Sequence, residues 1–108
     1  MSTVLGRGGR INFDRVNQAA LRILPLLLRR WLPGGKAVGH EFLALNPRRT
    51  DRHVGSFKIN LGTGRWCDFA TGDRGGDIVS LAAFLGAISQ TEAAEQLAKM
   101  LGVEARDG

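Results

Sequence analysis

Six cations and one carboxamide in the middle of this chain have the types and spacing that hold a nucleic-acid backbone: Arg48, Arg49, Arg52, Lys58, Arg65, Arg74 and Asn60. Guanidinium and ammonium groups neutralise phosphate oxygens, and a carboxamide pairs with base edges. Between Arg29 and Arg74 there are nine Lys/Arg against four Asp/Glu, so this segment carries the whole of the net charge of +5. A cationic excess confined to one segment suits a surface that meets a polyanion. A solvated sheet face charged for solubility has the same composition, so charge alone does not choose between them.

Other chemistries have fewer residues to work with. His40, His53, Cys67 and one of Asp68 or Asp73 are the only metal-ligand candidates, and no two Cys or His residues stand at the short paired spacing of a structural zinc site. Cys67 and Asp68 are neighbours on an expected strand and so point to opposite faces. No metal and no cofactor are expected. Neither histidine has a nucleophile beside it, and both read as loop or strand-end residues. "TGDRGGD" (71–77) lacks the Gly-Lys-Ser/Thr of a Walker loop. It opens a helix whose amides would suit a phosphate, but Asp73 and Asp77 repel anions there, so an ordinary glycine turn is preferred, with Arg74 reaching outward. The domain is expected to do no catalysis of its own.

The elements that must position these residues follow from periodicity. Phe13, Val16, Ala20, Ile23, Leu24, Leu27, Leu28 and Trp31 form one helical stripe, with Asn12 as N-cap and Pro25 forcing a kink or a break into two short helices. "LPGGK" (32–36) stops the helix and opens a loop. Three strands are expected, at 40–46, 55–61 and 65–70. Pairing the last two through "LGTG" with a two- or four-residue turn puts Ile59 opposite Trp66, Lys58 opposite Cys67 and Asn60 opposite Arg65, whereas a three-residue turn with a bulge would break this parity. Phe57, Ile59, Leu61 and Trp66 then share one face, and Ser56, Lys58, Asn60 and Arg65 the other. Asp77 caps a helix running to about Leu85, which Gly86 ends. Ser89 and Glu92 form a capping box for a last helix, which turns Ala93, Ala94, Leu97, Met100 and Leu101 inward before Gly102 stops it. The sum is an α+β domain: a small antiparallel sheet of about three strands packed against an N-terminal helix and two C-terminal helices. It is expected to run from 12 to 104, with 1–11 a flexible arm and 105–108 a tail or truncation point.

The composition agrees with one soluble globular unit: 44% hydrophobic and 23% charged residues over 108 positions. The single cysteine, Cys67, excludes an internal disulfide framework and fits a reducing cytoplasm. The most apolar run, "ILPLLL" (23–28), is too short to span a bilayer, so no membrane is expected as a partner.

With these residues in place, "LNPRRTDRHVGSFKINLGTGRWCDFATGDRGGDIVSLAAFL" (45–85) resembles the zinc-binding module of bacterial DNA primases. Pro47 stands near that family's first ligand pair, "GSF" (55–57) replaces its "PSF", Trp66 takes the place of the aromatic before the second pair, and "GG" (75–76) with "IVSLAAFL" (78–85) follows without a gap. The family's metal ligands fall near Asn46 or Pro47, near Arg49 or Thr50, and at Asp68 and Thr71, so all four are absent. The wider pattern over roughly 12–102 is similar to the N-terminal module of plasmid and phage primase–helicase proteins. The resemblance implies a zinc-ribbon-like fold held without zinc. Trp66 and Phe69 would pack against the helices, and Asp68 and Thr71 would bond the loop backbone. It also implies a module that binds single-stranded DNA template in primer synthesis and works with primase or helicase domains. The alternative is a docking module that touches no nucleic acid and meets those domains through "LPLLLRRWLP" (24–33).

Overall fold

The computed structural model describes residues 9–48 and 56–107. They form an α+β domain in the order α1 (Phe13–Leu21), α2 (Leu24–Trp31), β1 (Lys36–Val38), β2 (Glu41–Ala44), β3 (Phe57–Asn60), β4 (Trp66–Asp68), β5 (Arg74–Gly75), α3 (Ile78–Gly86) and α4 (Gln90–Leu101). The sheet is antiparallel throughout, and its five strands lie side by side in chain order. It is therefore wider than the three strands expected. The two additions are edges: β1 lies inside the stretch read as a loop after "LPGG", and β5 lies inside the glycine-rich turn.

Local chemistry explains the breaks between elements. The Asn12 side chain accepts from the Arg15 amide at 2.9 Å and opens α1. The apolar stripe then divides at Arg22–Ile23, with Pro25 in the first turn of α2, where its missing N–H costs no intrahelical bond. Asp77 Oδ1 accepts from the Ser80 amide at 2.8 Å to open α3, and Asn17 of α1 accepts from the Val79 amide at 2.9 Å, tying the two helices. The α3 terminator differs from expectation. Gly86 is the last helical residue, and Ala87 takes the left-handed conformation at φ 54°. Ser89 accepts from the Glu92 amide at 3.0 Å to open α4, and Gly102, at φ 73°, closes it.

One apolar core joins the helices to one face of the sheet. Val16, Leu24, Leu28, Phe57, Ile59 and Leu81 lie at its centre, fully withdrawn from water. On α4 the inward residues are Ala93, Ala94, Leu97 and Ala98, with Leu101 half-buried beside them; Met100, expected inside, is exposed. Ala98 takes the inward position because it lies four residues after Ala94, on the same helical stripe.

Of the expected N-terminal arm, residues 1–8 lie outside the described residues. The rest meets the other end of the chain. Ile11 bridges Arg106, the Asn12 amide donates to the Ala105 carbonyl at 2.8 Å, and the Asp107 amide donates to the Arg10 carbonyl at 2.9 Å. Arg15 closes this clasp with a 2.7 Å ion pair to Asp107. Among the described residues no helix is long and apolar enough to cross a membrane.

Candidate nucleic-acid interface

Strand alternation gives the sheet two unlike faces. Phe42, Ala44, Phe57, Ile59, Trp66 and Asp68 are buried on the face that meets the helices. The pairing of β3 with β4 is the expected one, with Lys58 opposite Cys67, Ile59 opposite Trp66, and the Asn60 amide donating to the Arg65 carbonyl at 2.7 Å. The other face, called open below, carries no fully buried residue on its cross-strand row: Lys36 and Arg74 are exposed, and Leu43, Lys58 and Cys67 are half-buried.

On that open face the register lines up one residue from each strand. Lys36 pairs with Leu43, Leu43 with Lys58, Lys58 with Cys67, and Cys67 with Arg74. Three cations thus stand in a single row on alternate strands. Neighbouring strands lie about 4.8 Å apart, so a chain crossing the sheet meets a positive charge roughly every 10 Å. Arg65, at the end of the β3–β4 hairpin, is exposed and shares the face by alternation. Glu41 is the acidic residue on these strands that faces the same way, and its carboxylate lies 3.8 Å from the Lys58 ammonium.

The register also turns out Phe69. The Phe69 amide donates to the Ser56 carbonyl at 2.9 Å, continuing the β3–β4 ladder by one residue, and its ring is 69% exposed. This corrects the expectation that Phe69 packs against the helices. Counting from buried Trp66, the pleat sends residues 67 and 69 outward and 68 inward. The Lys58 ammonium lies over the ring, 5.2 Å from its centroid, in a cation–π contact.

Each expected contact residue has a definite place. Lys58, Arg65 and Arg74 share the open face. Asn60 shares it too, but its carboxamide oxygen accepts from the Gly62 and Thr63 amides at 2.8 and 3.0 Å and so holds the hairpin turn. Arg48 lies elsewhere. Its guanidinium donates to the Phe84 carbonyl at 3.1 Å, near the end of α3, and stacks 5.1 Å from the Phe84 ring centroid. Arg49 and Arg52 lie outside the described residues. Lys36 and Phe69 were not among the expected contacts, and the fold adds them to this face.

The buried face shows what seats the sheet against the helices. Trp66 stacks on Phe84 at 4.7 Å and meets Phe57 edge-on at 6.0 Å, while its indole N–H donates to Ser80 Oγ at 2.9 Å. Gly75 sits opposite Trp66 on β5, and a β-carbon there would overlap the indole nitrogen and the Ser80 hydroxyl. Beneath the β4–β5 turn, buried Asn46 donates to buried Asp68 at 2.8 Å. Asp68 also accepts from the Ala70 amide at 2.9 Å, and Asn46 from the Arg48 amide at 2.9 Å. Thr71 Oγ1 accepts from the Asp73 amide at 3.2 Å and donates to the Asp73 carboxylate at 2.8 Å. These are the loop bonds expected of Asp68 and Thr71, with Asn46 as a buried partner that sequence did not single out.

Among the described residues no group of three or more His, Cys, Asp or Glu side chains is arranged to hold a metal ion. Compared with known protein families and with curated proteins, the chain matches none.

Proposed function

We propose that this domain is a non-catalytic replication module whose open sheet face binds single-stranded DNA template for a primase or primase–helicase. The observation that carries this reading is the row of Lys36, Lys58 and Arg74 across one sheet face, with Lys36 and Arg74 exposed and Lys58 half-buried. A cationic groove or face that tracks a backbone, without an element blocking it, is the common design for single strands. The resemblance of 45–85 to the primase zinc-binding module supports the choice of partner. The loops clamped by zinc in that family would here be joined by Asn46, Asp68 and the aromatic packing around Trp66.

The test is an anisotropy titration of a labelled single-stranded DNA oligomer at low and raised salt. Phosphate neutralisation by the four cations of the face predicts that log K falls with log salt at a slope of about −2 to −3, near −0.7 per phosphate neutralised. A chain that does not bind at low salt, or that binds only a ribo-oligomer, overturns the reading.

One observation favours a docking reading, on a face that includes only Trp31 of the expected segment 24–33. Trp31, Leu85, Ile88, Leu97 and Met100 line an open, largely apolar groove of about 500 Å³ on the helical side. Retention of primase or helicase domains by the intact chain, lost in Met100→Glu, together with no DNA binding at low salt, would decide for it.

A further inference from the structure

We infer that Phe69 is a stacking platform for one unpaired base, with Lys58 taking the phosphate of the same nucleotide; this rests on the single-strand reading above. Four observations place the two together. Phe69 is the most exposed of the large apolar side chains described. It is not an isolated surface residue, because the Ser56 carbonyl fixes its backbone to the ladder at 2.9 Å. The Lys58 ammonium lies over one face of the ring at 5.2 Å from the centroid, so a base would take the opposite face, and Lys58 also belongs to the cationic row. Phe69 follows Cys67 by two residues, so the ring stands about 6.8 Å further along β4 than the row that carries Lys58 and Arg74.

The physical argument concerns what an exposed ring on a charged face is good for. An apolar ring left in water among cations contributes nothing to the core, yet every nucleobase has a π-face that can cover it. Stacking tolerates any sequence, which suits a template reader. It also requires a base free on at least one face. A base inside a duplex is stacked above and below, so Phe69 adds affinity for single strands and none for duplex. The cations bind both forms, and the ring supplies the discrimination.

The test compares the intact protein with Phe69→Ala and Phe69→Trp. The probes are an oligo-dT, an abasic oligomer of the same length and a duplex, compared at matched salt, with the oligo-dT titration repeated at raised salt to give its slope. Phe69→Ala should weaken oligo-dT binding by about tenfold, within the range alanine substitution gives for one stacked base. It should leave the abasic and duplex affinities and the oligo-dT salt slope unchanged. Phe69→Trp should restore oligo-dT binding, and its added fluorescence should be quenched by oligo-dT and not by the abasic strand. If Phe69→Ala weakens the abasic oligomer as much as oligo-dT, or weakens neither, the platform is overturned while DNA binding by the face still stands. If the unmodified protein binds no single strand, it is the single-strand reading that fails.

Discussion

The Asn46 carboxamide donates to the Asp68 carboxyl oxygen at 2.8 Å, and both side chains are buried although they stand 22 residues apart in the chain. This bond joins the segment after β2 to the end of β4, two strands that are separated in the sheet by β3. On the primase-type reading, the two residues fall where zinc ligands would be. On that reading a buried hydrogen bond would join the two segments that an ion joins in that family.

Removing one partner leaves the other buried with this bond unmade, which costs about 1–3 kcal/mol. Asn46→Ala and Asp68→Ala should each destabilise the domain by that amount in urea unfolding. The double variant should lose clearly less than the sum of the two, with a coupling of at least about 1 kcal/mol. Simple additivity would show that the pair is incidental.

The two glycines of "GG" should respond unequally to a methyl group. A β-carbon at Gly75 overlaps the Trp66 indole nitrogen and Ser80 hydroxyl, whereas one at Gly76 meets nothing within 4 Å. Gly75→Ala should therefore cost about 1–3 kcal/mol, as overpacking does, and lower Tm by several degrees. Gly76→Ala should shift Tm little in either direction. Equal effects would mean that Trp66 is not seated against β5.

The clasp between the chain ends is sensitive to acid. Hydrogen bonds from Asn12 and Arg15, with the guanidinium charge of Arg15, hold the Asp107 carboxyl below its ordinary value of 3.8. A depressed carboxyl stabilises the folded state above its unfolded pKa, and that contribution fades as pH falls through the lower folded value. The bonding at Asn12 should thus persist down to pH 3.8 and be lost below it. NMR titration of the Asn12 side-chain amide checks this, and Asp107→Asn should remove the transition. A transition above pH 3.8 would contradict the sign.

Cys67 provides a native reporter of the open face, since it stands between Lys58 and Arg74 in the cross-strand row. Single-stranded DNA at saturating concentration should slow its alkylation by a maleimide severalfold, and raised salt should restore the free rate. An unchanged rate under conditions where anisotropy reports full binding would place the DNA elsewhere.

Much of this face is legible in the sequence, for a physical reason. A hairpin with a four-residue turn fixes parity, so alternation alone places Lys58, Cys67 and Arg65 correctly, along with the inward side of Trp66. The same parity also sends Phe69 outward, but its aromatic character argues for the core, and the pleat wins. Lys36 is hidden because three residues between glycines carry too little pattern to declare a strand; β1 exists through its pairing with β2. β5 is the same case, two residues held by β4. Asn46 is invisible as the partner of Asp68, since a bond between segments 22 residues apart leaves no local signal. The diversion of Arg48 to Phe84 likewise depends on where α3 packs.

The central claim is that the sheet's open side, rather than the protein's general basicity, holds the single strand. The most direct measurement compares two charge-matched double variants against one labelled single-stranded oligomer at low salt. Lys58→Ala/Arg74→Ala removes two cations from the open face, and Arg22→Ala/Lys99→Ala removes two exposed cations from the helical side. The account predicts that the sheet pair loses at least tenfold in affinity and that its salt slope becomes shallower by about 1.4, near 0.7 for each phosphate no longer neutralised. The helix pair should bind as the unmodified protein does. Equal losses in the two variants, or a loss confined to the helix pair, would contradict it.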